Sequence, residues 1–463
     1  MESQKLNRRG FLRLAAMTAG GLALAGCQAP PAQAPAQAPA EKPAEKATQP
    51  PPTAAPAASA LEVVVWYQSW PGSDAILARV KPIYEGSHAN VTLKYVGLDY
   101  GDLNSKFLPS IAAGTEGDAN QLYTNWVVAT DVTKVLLDVT DVVGGAAALA
   151  EKMWPAALSA TAMPKGKIYY LPWLAGIRGA CITVVNDHLK EAGIDYLAFK
   201  NFDDIIAAGK KLTKRDAAGK ITRSGWSPES ALVMLFLSYI WQLGGEFLDE
   251  AKGKWSLQTP EAKAAFQYLA DMYWVHKTVD FGLWESEFDA QGRGVISICA
   301  QGAWTGSFMT DTQKIPSDNI VTPPLPNAKK HVLYPDHIAC WGLSKRLAKE
   351  PQKLKATLDL ALLLTGPEGL VDAFQDYSGV CMTKAVYQDP RISKVKFGLM
   401  SKRIAEGMWP IARFPQTYVA NLGLMSDALT RALKKELAPD AALTEMEQIL
   451  QKEEDASRKR VLG

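Results

Sequence analysis

The chain has 463 residues, with 50 Lys+Arg against 48 Asp+Glu and a formal charge of +2. A length of this order exceeds what one hydrophobic core usually serves, so two lobes are expected. The balance of charge speaks against nucleic acid as a partner and against a membrane-coating surface.

The chain opens as an export signal. Lys5, Arg8, Arg9 and Arg13 form a basic region, and Leu14 to Gly26 form a short apolar one. A membrane span takes about 20 apolar residues; this run has the size of a cleavable signal instead. "NRRGFLRL" (Asn7 to Leu14) resembles a twin-arginine export motif. "LAGC" (Leu24 to Cys27) resembles the lipobox of bacterial lipoproteins, which implies that Cys27 receives lipid and becomes the first mature residue. Residues 1–26 are thus read as signal peptide. Residues 27–60 are rich in Ala and Pro and poor in groups to bury, so they are read as a solvated tether with a reach on the order of 100 Å. The expected location is outside the cytoplasmic membrane, lipid-anchored at its outer face or in the periplasm. The leader carries four bases and Glu2, so the remainder is near −1.

"LEVVVWY" (Leu61 to Tyr67) reads as a buried strand, Asp74 to Tyr84 as a helix and "VTLKYV" (Val91 to Val96) as a second strand. This is a βαβ pattern, which implies parallel pairing. Cys181, Cys299 and Cys340 lie in the strand-like runs "ACITVV", "VISICA" and "IACWGL", and Cys381 follows later. No two of them are close in sequence, so small buried core residues are expected. Disulfides stay open, since four cysteines allow three full pairings. "TPEAKAAFQYLADMYW" predicts a helix capped by Thr259 with Pro260 at its first position. "KLKATLDLALLLTGPEG" predicts a helix ending at Gly366 and another starting at Pro367. Leu443, Met446, Ile449 and Leu450 form an apolar stripe on a charged C-terminal helix. Alternating strand and helix patterns predict an α/β class.

Several kinds of chemistry are missing from the sequence. The five histidines form no HExxH or HxH pattern, so no metal site is expected. There is no GxSxG elbow, Walker A loop or GxGxxG fingerprint. No cofactor and no catalysis are expected, although a glycosidase-type carboxylate pair stays open as an alternative.

Along nearly all of its folded length the chain resembles the extracellular solute-binding proteins of ABC importers, in the group that includes maltose-binding and other sugar-binding proteins. The resemblance runs in order through "VVVWYQSWPG" (Val63 to Gly72), "LLDVTDVV" (Leu136 to Val143), "KGKIYYLPWLAGIRGACITVVNDHLKEAGID" (Lys165 to Asp195) and "NFDDIIAAGKKLT" (Asn201 to Thr213). It continues through "WQLGGEFLDEAKGKWSLQTPEAKAAFQYLADMY" (Trp241 to Tyr273), "FDAQGRGVISICAQGAW" (Phe288 to Trp304), "HIACWGLSK" (His337 to Lys345) and "YQDPRI" (Tyr387 to Ile392). Val185 stands in place of the usual tyrosine, and Met382 in place of the proline of a Gly-x-Pro turn.

The resemblance implies a two-lobed periplasmic-binding-protein fold. Lobe 1 would comprise 61–178 plus 341–390, and lobe 2 would comprise 182–337 plus 395–463. Hinge crossings would fall near Gly179 to Cys181 and Ile338 to Trp341, with Cys181 and Cys340 on neighbouring crossings. A small solute would bind between the lobes and be delivered to the transmembrane subunits of a permease by a monomeric receptor. Trp, Gln, Asn and Glu suit sugar rings, which have apolar faces and polar edges. The implied ligand-binding set is Gln68, Trp70, Asn125, Trp126, Trp173, Trp226, Glu229 and Trp304, with Phe414 and Tyr418 as weaker candidates. The expected cargo is a mono- or oligosaccharide; a polyol, glycerophosphate or peptide is the alternative, and a secreted carbohydrate-active enzyme a further one.

Overall fold

The computed structural model describes residues 60–124, 132–154, 157, 167–176, 181–228, 232–249, 251–284, 286–316, 319–321, 337–406 and 422–462. The leader, Cys27 and nearly all of the tether lie outside them.

β1 (Leu61–Gln68) buries Val63, Val65 and Tyr67 on one face. It pairs in parallel with β2 (Val91–Leu98) along its whole length and with β3 (Ala119–Tyr123) on its other side. Between β1 and β2 runs α1 (Pro71–Ser87), which starts on Pro71, where a missing N–H costs nothing. Between β2 and β3 runs α2 (Tyr100–Ala113), capped by Asp99 and ended by Gly114 at φ 68°.

β4 (Tyr170–Gly176), β12 (His337–Leu343) and β13 (Val380–Cys381) complete a six-stranded sheet in the order β13–β4–β12–β3–β1–β2. β12 runs antiparallel to both of its neighbours, so within this sheet the parallel pairing expected from the βαβ pattern holds for β1, β2 and β3.

The chain leaves β1 for β2 on one side and returns past β1 to β3 on the other. Right-handed crossovers then put α1 and α2 on opposite faces. The packing agrees. Ile76, Leu77 and Val80 of α1 share a core cluster with Val63 and Val65, while Phe107 of α2 joins Leu122 and Cys340 in a separate one. Such a reversal of strand order opens a crevice at the carboxyl ends of the strands, here β1 and β3.

The second sheet has the order β11–β5–β10–β7–β6, built from β5 (Cys181–Val185), β6 (Lys214–Arg215), β7 (Ile221–Ser227), β10 (Ile296–Gln301) and β11 (Ile320–Val321). β7 and β10 are parallel, and β5 is antiparallel to β10. α3 (Phe202–Leu212) starts with a capping box of Asn201 and Asp204. α4 (Leu232–Gln242) is buried almost throughout. The hairpin of β8 (Leu248–Asp249) and β9 (Lys254–Trp255) precedes α5 (Pro260–Trp274). As the sequence predicts, Thr259 caps α5 and Pro260 opens it. Four further helices matter below: α6 (Glu287–Gly292), α7 (Thr305–Thr312), α8 (Pro351–Thr365) and α9 (Pro439–Leu462). α8 ends at Gly366 and a short helix restarts at Pro367. In α9, Leu443, Met446 and Leu450 are buried, and Glu447 and Gln451 accept from the backbone N–H groups of Leu257 and Trp255.

Two hinge expectations need correction. Ile338 to Trp341 pair with β3 and β4 inside the first sheet, and Ile338 and Trp341 are fully buried there. The chain has therefore entered that sheet before these residues. Gly179 and Ala180 lie outside the described residues. Cys181 sits beside Gln301 in the second sheet, whereas Cys340 sits between Leu122 and Pro172 in the first, so the two are not on neighbouring crossings. All four described cysteines are free and buried. Burial pushes each thiol up, Cys381 to about 12, which leaves little thiolate and little reactivity.

Candidate functional site

Strand direction locates the site. In the first sheet β4 ends at Gly176 opposite His337, and β3 ends at Tyr123 opposite Ala339. In the second, β5 begins at Cys181 opposite Gln301, the last residue of β10, and Ser227 ends β7 alongside Cys299. The edge by which the chain leaves or enters each sheet is therefore also the carboxyl edge of its parallel strands. Four residues separate Gly176 from Cys181, which holds the two edges within about 18 Å at that point.

On the first edge, Gln68 ends β1 half-buried. Its backbone N–H donates to Gln121 Oε1 at 3.0 Å, Gln121 Nε2 donates to the Tyr123 hydroxyl at 3.0 Å, and that hydroxyl donates back to Gln68 Oε1. Burial holds the Tyr123 phenol well above its usual range, so it stays protonated. The Tyr100 ring lies 5.2 Å from that of Tyr123. Trp70 occupies the N-cap position of α1, half-buried, without a side-chain capping bond. Its ring meets Tyr377 edge-on at 5.3 Å and folds over Gly72, where a Cβ would lie only 2.3 Å from the indole.

On the second edge, Glu287 opens α6 and is 7% exposed. Ser227 Oγ donates to its Oε1 at 2.6 Å and Gln301 Nε2 to its Oε2 at 3.1 Å, so the ends of β7 and β10 both hold this carboxyl group. One turn on, Gln291 donates to Thr183 O and accepts from Cys299 Sγ. Trp304 stands half-buried at the N-cap of α7, 5.6 Å from both Phe288 and Phe308.

The two halves touch through serines. Ser378, just before β13, accepts from Ser307 N at 2.9 Å and donates to Ala303 O at 2.7 Å. Ser307 is at the third position of α7, where a capping side chain normally bonds. The indole of Trp304 has no acceptor to offer, so a residue of the first lobe caps a helix of the second.

The structure brings Gln68, Trp70 and Trp304 to these edges. It puts Trp173 and Trp226 elsewhere. Trp173 is fully buried against Trp341, rings 4.9 Å apart. Trp226 is fully buried against α3: a Cβ on Gly209 would lie 2.7 Å from its Cβ, and one on Gly225 only 1.8 Å from Gly209 O. That close helix–strand approach turns Trp226 into the core, so the sequence expectation of a cleft residue is corrected at both tryptophans. Asn125, Trp126, Glu229, Phe414 and Tyr418 lie outside the described residues. Gln121, Tyr123, Tyr100, Glu287 and Gln301 are missed by the sequence reading. Gln121 and Tyr123 did carry a signal: they alternate at the end of "NQLY", the strand next to β1. No cluster of His, Cys, Asp and Glu fit for a metal occurs among the described residues.

The arabinooligosaccharide-binding protein of Halalkalibacterium halodurans is 25% identical over 165 residues, so the match spans only about a third of either chain: 34% of this one and 35% of the relative. The maltose-bound MalE3 of T. maritima superposes with a TM-score of 0.67 at 20% identity, over 85% of this chain and 100% of its own. UgpB of Mycobacterium tuberculosis, in complex with glycerophosphocholine, gives 0.68 at 16% identity, over 85% and 98%. These likenesses establish the two-lobed fold. The model of the bacterial extracellular solute-binding proteins matches residues 80–396, and the chain belongs to that family.

Proposed function

We propose that the protein is the capture component of an ABC importer and closes its two lobes on a saccharide. The observation that carries this reading is the make-up of the facing edges: a half-buried Trp304 with Phe288 beside a carboxyl group on one side, and an amide–phenol chain on the other. Aromatic area suits the C–H face of a sugar, and fixed amide and carboxyl groups suit its hydroxyls. A ligand that touches both edges binds the closed form better and shifts the population towards it. The permease would then take the closed form. A glycerophosphodiester is the second reading, favoured by the likeness to UgpB; against it, no Lys or Arg takes part in the hydrogen bonds described at either edge.

The test is thermal melting of the full chain with maltose, maltotriose, arabinooligosaccharides and glycerophosphocholine. A ligand at 100 times its dissociation constant adds about 2.7 kcal/mol of stability. A melt raised by a saccharide that is recovered unchanged supports the reading; a response to glycerophosphocholine alone selects the second, and consumption of the sugar points to an enzyme. The same reading attaches the protein by lipid at Cys27, so Cys27→Ala should release it from the membrane fraction.

A further inference from the structure

The hydrogen-bond chain on the first edge has a direction that can be derived atom by atom. It starts at a backbone group, Gln68 N, which can only donate. The atom of Gln121 that receives it at 3.0 Å must therefore be the amide oxygen. That fixes the other end of the Gln121 amide as Nε2, a donor, which faces the Tyr123 oxygen at 3.0 Å. The phenol accepts that bond, and its own O–H donates to Gln68. Within the Gln68 amide, the atom that receives it is Oε1, since Nε2 only donates. The Gln68 amide is thus locked with Nε2 turned away from the phenol, and Nε2 meets no acceptor among the described residues. Gln121 and Tyr123 are buried, at 1% and 5% exposure, while Gln68 at the strand end is half-buried. Buried groups hold a partly exposed one. The burial that keeps the Tyr123 phenol protonated keeps this direction fixed at ordinary pH.

We infer that Tyr123 is a positioning residue: it fixes the Gln68 amide so that the first edge offers N–H donors, and no carbonyl, to an acceptor oxygen of the solute. The inference rests on the binding role proposed above and adds which polarity this half of the cleft reads. Tyr123 acts through Gln68. Phenylalanine at position 123 keeps the ring and its packing on Tyr100 and frees the Gln68 amide to turn.

The experiment is a double-mutant cycle on the full chain, titrated by calorimetry with maltotriose and with glycerophosphocholine. Tyr123→Phe should weaken the probe that binds wild type by about fivefold, the effect of one net hydrogen bond. Gln68→Glu keeps an acceptor for the phenol and loses the donors, so it should weaken binding at least as much. In a Gln68→Ala background, Tyr123→Phe should change affinity less than about twofold. Equal affinity of wild type and Tyr123→Phe overturns the inference, as does a full loss that persists in the Gln68→Ala background, because Tyr123 would then act independently. Should wild type bind neither probe, the solute is another one, and the relay is read without ligand from the Gln68 side-chain amide by ¹⁵N relaxation. An ordered amide that becomes mobile in Tyr123→Phe supports it; equal mobility in both proteins overturns it.

Discussion

The first sheet ends at the crossing in a chain of neutral groups that passes hydrogens from Gln121 to Tyr123 to Gln68. The second ends at a carboxyl group, Glu287, which draws hydrogens in from Ser227 and Gln301. Both arrangements come from the same strand geometry, two neighbouring parallel strands presenting their carboxyl ends, and they differ in polarity. A saccharide hydroxyl both donates and accepts, so one ring spanning the edges can satisfy both. A solute with acceptors alone would find no partner in the Glu287 carboxyl group. On the binding role proposed above, this difference in polarity would filter what can hold the lobes together.

The comparison can be broken at several points. The largest effect is expected in the core and not at the site. Trp226→Ala should cost about 3–5 kcal/mol of stability, read as a lowered denaturant midpoint, because its side chain is fully buried in the core. Trp304→Ala should leave the melt of the free protein nearly unchanged and weaken saccharide binding by roughly 30-fold or more, about 2 kcal/mol for a central aromatic anchor. Equal losses of stability in both variants would erase the distinction between core and edge tryptophans. Glu287→Gln comes next. It puts an amide donor among donors from Ser227 and Gln301, so one buried polar group loses its partner, at about 1–3 kcal/mol. Retained affinity for a saccharide after that change would mean the second edge does not read hydroxyls through its carboxyl group. Ser378→Ala removes the cap that one lobe places on a helix of the other, worth about 1 kcal/mol. It should open the free protein, measured as a larger radius of gyration in solution scattering, and weaken all ligands by a similar factor of about five.

The fold was legible because its signals are local. The β-rich run "LEVVVWY", Pro260 after a Thr259 cap and Gly366 before Pro367 each act within a few residues, and each element stands as read. The positions of Gln68, Trp70 and Trp304 came from the resemblance, and the structure sets all three at or just past the carboxyl ends of β1 and β10. Trp173 and Trp226 misled for a definite reason. A tryptophan is equally at home in a core and a cleft, and which it joins depends on glycines far away in sequence, such as Gly209 beneath Trp226. Glu287 could not be picked out among 48 acidic residues. Its role exists only once β7 and β10 bring Ser227 and Gln301 to it from 60 and 14 residues away.

The smallest effect separates the lobes by their response to acid. In the second, His188 is half-buried against Ser297, at 3.1 Å, and burial with Arg223 nearby pushes it down to about 4. Lys214 opposes its charge as well, while Glu191 and Asp187 favour it. The unfolded chain takes up that proton near pH 6.5, so between pH 6.5 and 4 it binds more protons than the folded one. Stability from this group is present above pH 6.5 and is lost as pH falls towards 4. The loss is on the order of 1 kcal/mol once solvent screening of a half-exposed group is allowed for. In the first lobe, Asp138 is held down at about 2 by Lys167 and Thr140, so its contribution is lost only below its unfolded value, near 3.9. Melting the protein from pH 7 to pH 4.5 should therefore weaken the second lobe first, with backbone hydrogen exchange rising in β5 and β10 before β1 and β3. His188→Asn removes the titrating group and should flatten the melting temperature across that window. An unchanged slope would place the acid sensitivity elsewhere and leave the two lobes alike in this respect.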